Sequence, residues 1–537
     1  MKLKNISMAA FAAMLLMLFF PVFYHVIMYG NNMNYNPDHK IYALYGNRVM
    51  LALTLIGVLT FLIIIYFARK IPVNKYTVAG FVGIAFISVI WFYMANVQVS
   101  MCIPFYGGWD CGMVANSARW LYEGKDLGYD DYYYIFTNNV PITWLLHELY
   151  SFASEWKGYP YNPEFIWIQF QCAMHALTVF LTAMTVLLIS KNVGLSGLVL
   201  IVNMILLGLS PWKVIPYTDA APIAFPILTL FLYVVFLQMK SRWKYLLWFM
   251  VCLVGMLGGI MKATCYVTLI AIVIVDCIWV MLQGQNAVAR MKELAVRMAV
   301  LACGIALAVC CRNGMYSAID YEYDYDMDIG WTGFLYDGLN EESTGACSKD
   351  GYDIVQNFAG QPREQREEFV LEGIKDRIAE KGFMGLLDFW LRKQVMTYND
   401  GTFSWYQEGF FNAKPYENLT DSSLKEPLRD FYWLEGDNYL QFVTISHGVW
   451  LFVLVGILVE AGMVLLRALQ ALRKRTDAER DGSCELQIST VLILTFIGVF
   501  LFVMLFEGRA RYLYTSVPVF ATMAVTGFYK LVNIKGH

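Results

Sequence analysis

The stretch "FYGGWDCGMVANSARWLYEGKDLGYDDYYYIFTNNVPITWLL", Phe105 to Leu146, is polar, aromatic and acidic, and it follows closely on the apolar run at 76–97. How that run is read decides the fold. An apolar helix of roughly 20 residues covers the hydrocarbon core of a bilayer. The quoted stretch is then a loop leaving a membrane, not a strand or helix of a soluble core. The rest of the chain agrees. Of 537 residues, 58% are hydrophobic and 15% charged, where a soluble domain carries about 25% charged residues. Mean hydropathy is +0.49.

Further apolar runs fall at about 7–29, 48–68, 164–190, 193–210, 223–239, 245–260, 264–282, 295–312, 440–466, 487–506 and 513–533. The expected architecture is an all-α polytopic membrane protein of about twelve spans. The first run, in "MKLKNISMAAFAAMLLMLFFPVFYHVIMYG", is too long for a signal peptide's apolar region and has no small-residue cleavage site after it. It reads as a retained helix. Membrane lipid is the expected surrounding. The net charge of −3 gives no basic field for nucleic acid.

Lysine and arginine set the orientation, because cytoplasmic loops carry their excess. "MKLK", "ARKIPVNK", Lys191, "KSRWK", "ARMKELAVR", "RALQALRKR" and "KLVNIK" alternate with acidic or aromatic connections. Both termini are expected in the cytoplasm and the long polar loops outside. The chain divides into an N-terminal transmembrane region, 1–312, containing a first external loop at about 98–163. An extracytoplasmic segment, 313–439, and C-terminal transmembrane helices, 440–537, follow. Within the first loop, "CGMVANSARWLYEG" has helical spacing, with Val114, Ala118 and Leu121 on one face, so it reads as a helix lying along the interface. The eleven cysteines show no C-x-x-C pair of the zinc or redox type. Cys102, Cys111 and Cys347 fall in polar loops, where one disulfide among them is open.

Charged residues from distant parts of the chain are expected on the outer face. They are Asp110, Asp219 in "PYTDAAPI", Lys262 in "GGIMKAT", and Arg509 and Arg511 in "EGRARYLYTSVP". Charges at a membrane boundary are costly unless they pair or serve a ligand. Each has a plainer reading: Asp110 as a helix cap, Lys262 as a snorkelling side chain, the arginines as ion-pair partners. Their common side favours a shared site.

These motifs, in this order, resemble the GT-C polytopic glycosyltransferases related to protein O-mannosyltransferases and to the aminoarabinose transferases of lipid A. "GGWDCGMVANSARWLYEG" is similar to that family's first external loop, with its essential Asp and interface helix. "YYYIFTNNVPITWLL" resembles a Pro-Asn-Asn turn, with Thr137 in place of the Pro. "PYTDAAPI", "GGIMKAT" and "TYNDGTFSW" resemble Gram-positive members most closely. The resemblance implies a GT-C-type helical bundle whose extracytoplasmic loops form the active site, and an inverting transfer of sugar from a polyprenyl-phosphate donor. The acceptor is a cell-envelope molecule: teichoic acid, wall polysaccharide, glycolipid or protein.

Asp110 is then the expected base for the acceptor hydroxyl, with Asp219 second. Lys262, Arg509 and Arg511 are the expected holders of the donor phosphate. Trp109, Tyr133, Asn138, Asn139 and Tyr217 are expected to touch substrate, as are Asp400 and Trp405 from a lid. No cofactor is assigned, and a divalent cation is left open, Asp324, Asp326 and Asp328 being candidate ligands. The rival classes are a surface-polysaccharide polymerase or ligase and a lipid or sugar transporter. A transporter would show related halves with polar sites near the midplane.

Overall fold

The computed structural model describes residues 2–30, 44–103, 108–157, 163–282, 286–346, 348–405, 422–474 and 483–533. Among them every regular element is a helix. Ten are long and apolar enough to cross a membrane, and two shorter apolar ones, Val193–Leu209 and Ala224–Gln238, complete the twelve expected runs. Several helices overrun their apolar stretch. The run at 295–312 becomes Ala287–Ala318, and that at 440–466 becomes Tyr439–Lys474. Helical hydrogen bonding continues past the point where hydropathy falls.

Asparagines start three of these helices. Asn74 accepts from the backbone N–H of Tyr76 and Thr77 while Thr77 Oγ1 accepts from the Asn74 N–H, a full capping box. Asn192 and Asn286 cap in the same way, accepting from Leu195 and Ala289.

The connections of the twelve helices sort into two groups. The basic turns at 69–74, 191–192 and 239–243 gather at one end. There Arg69 Nη1 donates to Asn533 Oδ1 at 2.9 Å, and Gln238 Nε2 to the Leu188 carbonyl at 3.0 Å. The stretches carrying Asp110, Asp219, Lys262 and Arg511 gather at the other.

At that second end the Trp109–Tyr122 helix packs on Val140–Lys157. Val114 and Ala118 are buried, as the spacing predicts. The segment 313–439, expected outside, builds its own small core from Leu339, Ile354, Val370, Ile374 and Phe389. It includes the helices Gly330–Asp337, Asp350–Asn357 and Arg363–Tyr398. The last is two helices joined at Gly382, whose φ of 60° an L side chain rarely adopts.

The acidic turn is spoken for by protein groups. Arg363 Nη1 stands 3.3 Å from Asp328 Oδ2, the Arg363 N–H donates to Asp326 Oδ1 at 3.0 Å, and Arg366 binds the carbonyls of Asp326 and Asp328. Thr137 also donates to Asp328, at 3.2 Å. No group of three or more His, Cys, Asp or Glu side chains placed to hold a metal occurs among the described residues. Cys102 and Cys111 are free thiols, and Cys347 lies outside the described residues.

Candidate active site

Asp110 occupies the first turn of the Trp109–Tyr122 helix, where a carboxylate meets the positive end of the helix dipole. Two tyrosines hold it. Tyr217 donates its hydroxyl to Asp110 Oδ2 at 3.1 Å, and the Tyr132 hydroxyl bonds it as well. Burial pushes the Asp110 carboxyl above the usual range. Arg511 and the two hydroxyls oppose that rise, and Glu507 adds to it. The outcome is a carboxyl poised to take a proton more readily than an exposed one would.

Behind it lies a second tier. The Asn139 amide donates to the Tyr132 hydroxyl at 2.6 Å, and Asn138 donates to Asn139 Oδ1 at 3.1 Å. The Asn-Asn turn therefore reaches Asp110 through Tyr132. Tyr133 is fully buried, its hydroxyl 2.8 Å from Thr143 Oγ1. It lines a cavity of about 290 Å³ together with Tyr134, Tyr321, Asp126, Asp320 and Glu322.

The cations stand beside this carboxylate. Asp219 is fully buried, with Lys262 Nζ 2.7 Å from one oxygen and Arg511 Nε 3.7 Å from the other. Tyr512 forms the floor under both: its ring centroid lies 4.2 Å from Lys262 Nζ and 5.2 Å from Arg511 Cζ. Arg511 also faces the Tyr217 ring at 5.8 Å. Cations on aromatic faces keep favourable contacts where water is scarce. Thr264 and Thr515 meet at 3.2 Å and join the turn after Lys262 to the helical turn Ala510–Ser516. Arg509 precedes that turn and is half-buried.

So the structure brings Asp110, Tyr217, Asp219, Lys262 and Arg511 together. It takes two other expected residues elsewhere. Asp400 is buried and accepts from Thr402 N (2.7 Å), Thr402 Oγ1 (2.7 Å) and Ser404 N (2.6 Å). Trp405 is buried on the Trp212 ring, and its Nε1 donates to the Tyr432 carbonyl at 3.1 Å. Neighbouring Asn399 takes the Asn47 amide at 2.7 Å and gives its own to the Gly30 carbonyl at 2.9 Å. "TYNDGTFSW" is a buried corner tying several helices together, not a lid. The continuation at 406–421 lies outside the described residues, as does the Trp109 side chain.

One contributor, Tyr512, went unassigned in the sequence; Tyr132 read as an interface aromatic and Glu507 as an ion-pair partner of the arginines, not as neighbours of Asp110. Tyr512 and Glu507 lie within the quoted "EGRARYLY", and Tyr132 opens the tyrosine run. Spacing alone does not say which ring of a run faces a carboxylate.

No curated protein matches the chain. Among solved structures, the archaeal oligosaccharyltransferase AglB from Archaeoglobus fulgidus, in complex with an inhibitory peptide and a dolichol-phosphate, aligns at 10% identity and a TM-score of 0.38. The alignment covers 82% of this chain and 50% of that one, so the chain spans half the length of the structure it matches. A likeness at that level carries no argument about activity, and the site's chemistry rests on its own geometry. The family described as "Conserved hypothetical integral membrane protein" matches residues 3–530, and the chain belongs to it.

Proposed function

We propose that this protein is a GT-C-type glycosyltransferase that moves a sugar from a polyprenyl-phosphate donor to a hydroxyl of a cell-envelope acceptor on the extracytoplasmic face. The observation that carries the reading is the pairing of two chemistries within one cluster. A tyrosine-held carboxyl with a raised pKa stands beside a buried pair of cations. A single displacement needs both. Asp110 takes the proton of the acceptor hydroxyl as that oxygen bonds to the anomeric carbon. The bond from that carbon to the phosphate oxygen breaks, and Lys262 and Arg511, with Arg509 at the rim, receive the negative polyprenyl phosphate. The anomeric centre inverts.

Asp219 has its two oxygens turned to Lys262 and Arg511, which suits the counterion that spaces the cations better than a second base. Tyr217 and Tyr132 orient Asp110. Asn138 and Asn139 act behind Tyr132, and Tyr133 is assigned to the wall of the neighbouring cavity. The gathering of basic turns at the opposite end of the bundle supports the extracytoplasmic side.

The test is transfer from a synthetic short-chain polyprenyl-phosphate sugar by purified protein, with product identified by mass. A new glycosidic bond is expected. Translocation of intact donor across vesicles without any transfer would favour the transporter and sink this reading. Orientation is tested separately by impermeant maleimide on intact cells carrying a single cysteine. A cysteine at position 350 should react and one at position 478 should not; the reverse pattern would invert the assignment.

A further inference from the structure

Lys393 is 1% exposed, and no described carboxylate forms an ion pair with it. Its ammonium donates to three backbone carbonyls: Gly338 at 2.7 Å, Met504 at 3.2 Å and Phe506 at 2.5 Å. An ammonium has three donors, and all three are used. The partners are not arbitrary. Met504 and Phe506 stand at the carboxyl end of the Ser483–Leu505 helix, and Gly338 caps the Gly330–Asp337 helix of the outer segment. The last carbonyls of a helix lack partners inside it and carry the negative end of its dipole. One cation therefore joins two helix ends that belong to different parts of the protein.

The route to this point is kept open by missing side chains. A Cβ on Gly345 or on Gly508 would fall 2.7 Å from Lys393 Cε. Those two glycines also meet each other, Gly508 N–H donating to the Gly345 carbonyl at 2.9 Å. Phe506 leads at once into Glu507, Arg509 and Arg511, the arm that carries the cations.

Lys213 gives a comparison within the same molecule. It is equally buried and also binds three carbonyls, of Leu207 (3.3 Å), Gly208 (2.9 Å) and Ser210 (2.9 Å). Those partners lie three to six residues before it, so it closes its own helix end. Lys393 instead reaches across 55, 111 and 113 residues. Only the long-range clamp can fix one segment relative to another.

We propose that Lys393 is a positioning residue: it pins the Glu507–Arg511 arm to the outer segment and thereby sets where the Arg511 guanidinium stands for the donor phosphate. The second half of that statement rests on the transferase reading; the first does not. Burial depresses the Lys393 ammonium to about 7, with the charge of Glu507 opposing.

The experiment compares the purified full chain with Lys393→Met, which keeps the apolar stem and removes the donors. Hydrogen–deuterium exchange in 505–513 and 338–346 should quicken by at least about tenfold, since hydrogen bonds to a charged group are the strong ones. The helices at the basic end should exchange as before. With a polyprenyl-phosphate sugar, the donor KM should rise in the variant. A purely structural lysine would lower only the fraction of active enzyme, reducing apparent kcat at unchanged KM. Unchanged exchange in 505–513, a uniform rise along the chain, or a fall in kcat alone would each overturn the proposal. Lys393→Gln, which keeps a shorter, neutral donor, should give the same local pattern more weakly and serves if Lys393→Met does not fold. If the wild type transfers no sugar, the exchange result still decides the clamp, and it is the transferase reading that falls.

Discussion

The two ends of the bundle both bury charge, and they do it differently. At the basic end one network is saturated. Arg297 binds Asp276 through Nη1 and Glu293 through Nε (2.9 Å) and Nη2 (2.8 Å). Tyr233 and Gln487 extend the chain from Asp276, while Lys244 (3.0 Å) and Tyr245 (2.7 Å) complete Glu293. Lys530 is bound by Glu460 Oε1 and Ser489, with Glu460 Oε2 left without a hydrogen bond among the described residues. At the other end Asp219 has one cation at 2.7 Å and another at 3.7 Å, yet neither oxygen makes a well-aligned hydrogen bond among the described residues. A saturated ion network is a rivet. A loosely aligned one, beside a carboxyl with raised pKa, is the arrangement expected of the proposed donor-phosphate site. Charge count alone would not separate the two clusters; hydrogen-bond completion does.

That contrast can be broken most forcefully at the basic end. Arg297→Met leaves Asp276 and Glu293 without their shared cation, and losing one partner of a buried pair costs about 3–5 kcal/mol. Thermal unfolding in detergent should show a large drop, while the surviving protein keeps its turnover per mole. A variant as stable as wild type would mean that this network is no rivet.

Asp110→Asn should do the opposite. Turnover is expected to fall by about a hundredfold or more, the usual scale for loss of a general base, with unfolding unchanged. Retention of more than about a tenth of wild-type turnover would remove Asp110 from that role.

The cation pair comes next. Lys262→Ala and Arg511→Ala should each weaken donor binding by about 1.5–3 kcal/mol, and the double variant by less than the sum, because both serve one ligand. Lys262→Ala also strips Asp219 of its nearer partner. Adding Asp219→Asn should restore stability without restoring donor affinity. Recovery of affinity in that double variant would show that Lys262 acts only on Asp219.

The smallest effect belongs to Tyr217→Phe. Its hydroxyl is one of the groups holding the Asp110 pKa down against burial. A base works only when ionised, so activity is lost as pH falls through that pKa. Removing the hydroxyl raises the pKa further, and the acid limb of the kcat profile should move to higher pH. Above the limb the loss should be modest, about tenfold or less for one neutral hydrogen bond. An acid limb that stays in place would exclude Asp110 as the titrating group.

Much of this was readable from the chain. All twelve apolar runs are helices, since a run of that length has one way to satisfy its backbone in lipid. Asp110 sits at the start of the expected loop helix, and Asp219, Lys262 and Arg511 do converge, because alternation of spans forces their loops to one end. Other parts were hidden for a stated reason. In "DDYYYI" the sequence does not tell Tyr132, which touches Asp110, from Tyr133, which is buried against Thr143; adjacent helical positions differ by about 100° in direction. Asp400 and Trp405 had the polarity of a substrate lid, but their partners, from Trp212 to Tyr432, are supplied by other segments.

By itself, then, the sequence determined the helices, their alternation and the end at which the charged motifs meet, because hydrophobic length and charge placement are local properties of the chain. Only the tertiary structure decided which of those charges are rivets and which are loosely held, that Asn139 reaches Asp110 through Tyr132, and that Lys393 clamps two distant helix ends. Those are matters of hydrogen-bond completion between residues up to a hundred or more positions apart. A buried donor takes whichever acceptor the packing leaves within about 3 Å of it, and packing is a property of the whole fold.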